Sequence, residues 1–142
     1  MSSSIKGYGF SVWYVPNRWR ELQLSHGIRH VPHVTFTTGK SLIDAQRLVK
    51  TIPATAKVLL HGTSVEFPSM YEIDPLKAFG WYATLLEPRN LMIPLPHMSI
   101  GYFVGENLPE IEILPPTDVL ICHKCVADTR SNDPTDWYMC LE

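Results

Sequence analysis

The 142-residue chain has no apolar run approaching the roughly 20 residues that a helix needs to cross a bilayer. A membrane-spanning role is therefore not expected. The start, Met1-Ser2-Ser3-Ser4-Ile5-Lys6, lacks the apolar stretch of a secretory leader. The second residue is not glycine and there is no C-terminal prenylation box, so lipid anchoring has no support either. Three cysteines cannot all pair, and reduced thiols in a cytoplasmic compartment are expected. A net charge of -2 gives no strong global attraction to nucleic acid. No glycine loop suited to cradling phosphates is present: Gly7 and Gly9 precede a strand, and Gly101 and Gly105 do not fit that motif. No Gly-x-Ser-x-Gly occurs, and no cysteine lies near a credible catalytic histidine. Kinase, nucleotide-dehydrogenase and serine-hydrolase chemistries are thereby left without a basis.

What is present describes one globular domain over residues 1–142, since 45% hydrophobic and 18% charged residues exclude a disordered chain. Positive charge is concentrated early. Lys6, Arg18, Arg20, Arg29, Lys40, Arg47 and Lys50 face only Glu21 and Asp44 in the first fifty residues. Such a patch could attract a phosphate, or be solvated surface.

The pattern is α+β. Gly9 to Val15 reads as a strand ending at Pro16. Asn17 can cap a short helix over 18–25 with Trp19 and Leu22 on one face, and Gly27 would end it. Val31 to Thr38 is a strand with Pro32 at its beginning. Ser41-Leu42-Ile43-Asp44 resembles a capping box, with a helix running to about Ile52 before Pro53. Lys57 to Phe67 reads as one or two strands bent at His61-Gly62. Asp74-Pro75 suggests a cap and a brief helical turn before Gly80. A strand follows over 81–87; 93–104 is interrupted at Pro94 and Pro96 and then becomes a strand, and an extended segment covers 108–116. A hairpin of 119–127 with 136–141 spans the polar run Ser131-Asn132-Asp133-Pro134.

Two segments inside this pattern are nearly alike. One is Pro32-His33-Val34-Thr35-Phe36, the other Pro96-His97-Met98-Ser99-Ile100. Residues two apart in a strand share a face, so each segment sets an imidazole beside a hydroxyl. Val34 and Met98 would face the other way. Hydrolysis of a phosphodiester needs a base for water and an acid for the leaving oxygen, and histidine serves both. The hydroxyls can donate to the non-bridging oxygens as charge develops.

With these motifs the chain resembles the 2H phosphoesterase superfamily, which is defined by two His-x-Thr/Ser motifs. More narrowly, it is similar to the cyclic phosphodiesterase branch known from plants and yeast. Ser11-Val12-Trp13-Tyr14-Val15-Pro16 resembles that branch's opening strand, and in Pro96-His97-Met98-Ser99-Ile100-Gly101-Tyr102 a tyrosine follows the serine by three. The similarity runs in order from about residue 8 to 104. It implies a bilobal fold with two antiparallel sheets around a central cleft and flanking helices. It implies a metal-independent phosphoric diester hydrolase, without cofactor, acting on a cyclic phosphate of a nucleotide ribose. ADP-ribose 1″,2″-cyclic phosphate and nucleoside 2′,3′-cyclic phosphates are the family's substrate types. Carried over by position, His33 and His97 are the acid and base. Thr35 and Ser99 bind the phosphate, and Tyr102 is a further phosphate or ribose contact. Water attacking from the His97 side would make His97 the base and His33 the acid.

The segment between the motifs is short and lacks the substantial second helix expected there. An open cleft could instead admit a 2′–5′ oligoadenylate, a cyclic dinucleotide or a cyclic oligonucleotide, as compact viral and phage members do. A non-catalytic module binding nucleotides or RNA ends is the alternative from another class. Partners are thus a small nucleotide or short oligonucleotide and no membrane, with a monomer as the default.

Other residues have two readings. Tyr8, Trp13, Tyr14, Phe36, Trp81 and Tyr82 include candidates for stacking a base, with core packing as the plainer role. Of these, Trp13 is the expected substrate contact. Arg18, Arg20 and Arg29 could clamp a second phosphate or simply be solvated. Cys122-His123-Lys124-Cys125 suggests zinc only superficially, because Cys122 and Cys125 face opposite sides of a strand. His61 is expected to be structural. His26 and His30 are expected to be exposed, His30 at most assisting binding.

Overall fold

The computed structural model describes residues 9–67, 76–104, 113–131 and 133–141. Among the described residues, seven strands form one sheet: β1 (Phe10–Pro16), β2 (Val34–Lys40), β3 (Thr55–Phe67), β4 (Leu76–Glu87), β5 (His97–Val104), β6 (Leu120–Asp128) and β7 (Tyr138–Leu141). Their order is β1-β2-β5-β4-β3-β6-β7, and β1 also pairs with β6. Six strands therefore close on themselves, which leaves them no free edge. β3 and β7 share the remaining edge of β6, β3 taking its first half and β7 its second. Every pairing is antiparallel.

The helices lie in the β1–β2 and β2–β3 connections. α1 (Trp19–His26) buries Leu22 and stops at Gly27, whose φ of 65° is the left-handed cap. Its N-cap is Arg18, not the expected Asn17, and carries no side-chain cap. The first turn is held instead by the Arg18–Glu21 ion pair at 2.8 Å. α2 (Leu42–Val49) starts as expected, with Ser41 Oγ accepting from the Asp44 amide at 3.1 Å. It ends three residues before Ile52. Lys124 Nζ donates to the carbonyls of Val49 at 2.6 Å and Ile52 at 3.0 Å, satisfying the end of the helix from β6.

β3 is one long strand with a bend. Gly62 has φ 86°, and the register with β4 shifts between His61 and Val65. The expected helical turn before Gly80 does not form, since 76–80 is extended within β4; Asp74 and Pro75, like 108–112, lie outside the described residues. Pairing decides this against local propensity. Gly80 lies so close to the Met98 carbonyl that any Cβ would collide with that backbone. The closing hairpin of β6 and β7 is present, with a 3-10 turn (Pro134–Asp136) before β7.

Side chains pack on both faces of the strands. One cluster gathers Tyr14, Val34, Trp81, Met98 and Cys122; another gathers Trp13, Val15, Cys125, Ala127 and Trp137. Trp13 and Tyr14 thus separate by alternation, as do Cys122 and Cys125. No helix among the described residues is long and apolar enough to cross a membrane.

Candidate active site

β2 and β5, the two motif strands, touch through a single pairing, Val34 with Met98. Both are fully buried in the first cluster. One step to either side, that antiparallel register sets His33 beside Ser99 and Thr35 beside His97. All four motif side chains then lie on the face opposite Val34 and Met98. Trp13 is directly across from Thr35 on β1, and Tyr82 directly across from His97 on β4, so both share that face.

The two histidines are held in the same way. His33 Nδ1 donates to the carbonyl of Val31 at 2.7 Å, and His97 Nδ1 to that of Leu95 at 2.8 Å. A carbonyl only accepts, so each ring carries its proton on Nδ1 when neutral and has its lone pair on Nε2. Each ring also lies on an aromatic. Trp13 stacks on His33 at 3.7 Å and 10°, and Phe67 on His97 at 4.1 Å and 22°. The stacking, the backbone bond and the strand together leave little rotational freedom.

Burial weakens both as bases. It pushes His33 down to about 3, with the charges of His30 and then His97 adding to the effect against the Val31 hydrogen bond. Burial also lowers His97, the Leu95 hydrogen bond opposing it. At neutral pH both rings are neutral.

Ser99 is buried, and Tyr102 reaches it with a side-chain hydrogen bond. Residues three apart in a regular strand face opposite ways. Here the β4–β5 register shifts between the pairs Phe79–Gly101 and Gly80–Ser99, inserting one extra residue in β5. That bulge returns Tyr102 to the side of Ser99. Burial pushes the Tyr102 phenol up, with the Ser99 hydrogen bond opposing it, so the phenol stays neutral. Thr35 is half-buried.

The structure changes several expectations. Trp13 is 1% exposed with a ring face covered by His33, so it supports the imidazole and offers no surface to a base. His30 is buried, not exposed. Its Nε2 donates to the Ser99 carbonyl at 2.9 Å, and its ring lies edge-on to His33 and Tyr102. Burial lowers it to about 4. His26 is half-buried, edge-on to Trp81 at 5.1 Å. Trp137 escaped the sequence reading altogether. It is buried between Trp13, His33 and Tyr102, with its indole N–H donating to the Ser131 carbonyl. Nothing in local sequence could place Trp137 there, because it lies in the β6–β7 connection, at the end of the 3-10 turn, and its position depends on how that hairpin folds. Of the arginines, Arg18 pairs with Glu21 and Arg20 lies over Trp19 at 5.0 Å. Among the described residues no group of three or more His, Cys, Asp or Glu is placed to hold a metal ion.

Such a face can donate hydrogen bonds from hydroxyls and accept protons at two imidazole Nε2 atoms. Comparison of the chain with protein-family models, curated proteins and solved structures gives no match.

Proposed function

We propose that the protein is a metal-independent phosphodiesterase that opens a cyclic phosphate on a nucleotide ribose. The observation that carries this reading is the matched pair of histidines, each with Nδ1 tied to the carbonyl two residues back, an aromatic beneath it and Nε2 left for chemistry. A single buried histidine is commonly structural. Two held alike, on one face and each beside a hydroxyl, form a working acid–base pair.

In the proposed step one Nε2 accepts a proton from water as the water oxygen bonds to phosphorus. The phosphorus–oxygen bond to the ribose breaks, and the other imidazole gives its proton to the leaving oxygen. That second ring must be charged, whereas burial keeps both neutral in the free protein. The bound phosphodiester monoanion supplies the missing term, since an adjacent negative charge raises an imidazole's pKa. Thr35 and Ser99 hydroxyls donate to the non-bridging oxygens, with Tyr102 fixing Ser99. The proposed active site lies between two lobes. β2, β1 and β6 form one group and β5, β4 and β3 the other, with the motifs meeting at the single β2–β5 pairing.

The test is product analysis with EDTA present on ADP-ribose 1″,2″-cyclic phosphate, 2′,3′-cyclic AMP, 2′–5′ triadenylate and cyclic dinucleotides. Ring opening of the first two supports the reading. Turnover of the others alone would make the protein a degrader of signalling nucleotides, and no turnover would leave a nucleotide-binding module.

A further inference from the structure

The register of the sheet lines up one row of side chains across the motif face. His61 on β3 pairs with Tyr82 on β4, Tyr82 with His97 on β5, and Trp13 on β1 with Thr35 on β2. The row changes character along its length. Trp13 is 1% exposed, whereas Tyr82 is 40% exposed and His61 is also open to solvent. The other aromatic candidates are unsuited to meet a ligand. Tyr14 and Trp81 are fully buried, Phe36 packs on the core, and Tyr8 lies outside the described residues.

The exposed end is ordered. His61 Nε2 and Thr84 Oγ1 are hydrogen-bonded at 2.9 Å. The His61 and Tyr82 rings are 22° from parallel with centroids 6.1 Å apart. Phe67 meets Tyr82 edge-on at 5.3 Å and stacks on His97 at 4.1 Å, so shelf and catalytic imidazole are braced by one ring. A fixed, solvent-facing aromatic one strand from an acid–base histidine is a surface on which a nucleobase stacks at little entropic cost.

We infer that Tyr82, with His61 beside it, is the platform for the base of the nucleotide whose phosphate lies between His33 and His97. The inference rests on the phosphodiesterase reading and names the part of the ligand that reading leaves open. Stacking tolerates any base, so the platform favours nucleotides over base-free phosphodiesters without selecting adenine from guanine.

The test pairs adenosine monophosphate with methyl phosphate, a probe without a base, in wild type, Tyr82→Ala, Tyr82→Phe and His61→Ala. Ring-proton NMR signals of Tyr82 and His61 should shift with the nucleotide and not with methyl phosphate. Tyr82→Ala should weaken the nucleotide on the order of tenfold, Tyr82→Phe little, and neither should change methyl phosphate binding. Equal nucleotide affinity in wild type and Tyr82→Ala, or no nucleotide binding to wild type, would overturn the inference. Loss of methyl phosphate binding in Tyr82→Ala would also overturn it, by showing that the ring only braces Phe67 and His97. Turnover separates the two claims. A wild type that binds adenosine monophosphate at Tyr82 yet opens no cyclic phosphate refutes the phosphodiesterase reading alone. Unchanged KM for 2′,3′-cyclic AMP in Tyr82→Ala refutes the platform alone.

Discussion

At the scale of single residues, the two imidazoles differ from free histidine in the same direction, and this fixes the expected pH dependence. Burial favours the neutral ring in His33 and in His97. The proposed reaction needs one ring neutral and one charged. Above both depressed values the singly protonated fraction falls with pH, so kcat/KM should drop about tenfold per pH unit above neutrality. A stopped pH series on 2′,3′-cyclic AMP checks this; a profile flat or rising above neutral pH would contradict it. Thr35→Ala and Ser99→Ala should each lower kcat by roughly 10²–10³, the usual loss of one donor to a developing oxyanion. Initial rates at saturating substrate read that effect. The histidines and hydroxyls were legible because a two-residue spacing carries its own geometry in a strand. His30 was not: three residues from His33 and across Pro32, its burial depends on the Ser99 carbonyl contributed by β5.

At the scale of elements, two glycines shape the motif strand β5. A Cβ on Gly80 would strike the Met98 carbonyl, which is backbone and cannot swing away. One on Gly101 would meet the tip of the Phe79 ring at 2.5 Å, a side chain that can move. Gly80→Ala should therefore destabilise by more than Gly101→Ala, by about 1–3 kcal/mol or above, the range for an overfilled site. Urea unfolding of the two variants measures the difference, and equal midpoints would refute the argument. Local signals predicted the Ser41 cap, the Gly27 stop and the bend at Gly62 because each is decided within a few residues. The β5 bulge and the extended start of β4 were not readable, since both follow from pairing between strands. The helix-like signal at Asp74-Pro75 carried no information about that partner.

At the scale of the whole molecule, burying His30 and His33 as neutral rings links stability to pH. Their folded values, about 4 and about 3, lie below the ordinary histidine value near 6.5. Between those limits the unfolded chain binds more protons than the folded one, so stability is full above the ordinary value and is lost as pH falls towards 4. Asp128 and Asp133 are lowered by the Arg130 and Thr135 hydrogen bonds and titrate below that window. The unfolding free energy should fall from neutral pH to pH about 5, by about 1.4 kcal/mol per unit for each histidine fully in that window, and unfolding midpoints should fall with it. His30→Gln should fall less. Equal wild-type midpoints at the two values would contradict the burial argument. Closure of the sheet through β1 and β6 was not visible in the sequence, because no local pattern records which edges meet. The strands, their order of appearance and the two alike segments were visible.

The central claim is that His33 and His97 together open a phosphodiester. Its most direct test is phosphorus NMR of 2′,3′-cyclic AMP in oxygen-labelled water with EDTA present. Wild type is compared with His33→Ala and His97→Ala, each first shown to be folded by circular dichroism. The account predicts a single phosphomonoester carrying one labelled oxygen from wild type and no product above background from either variant. Product formation at near wild-type rate by either folded variant would contradict it.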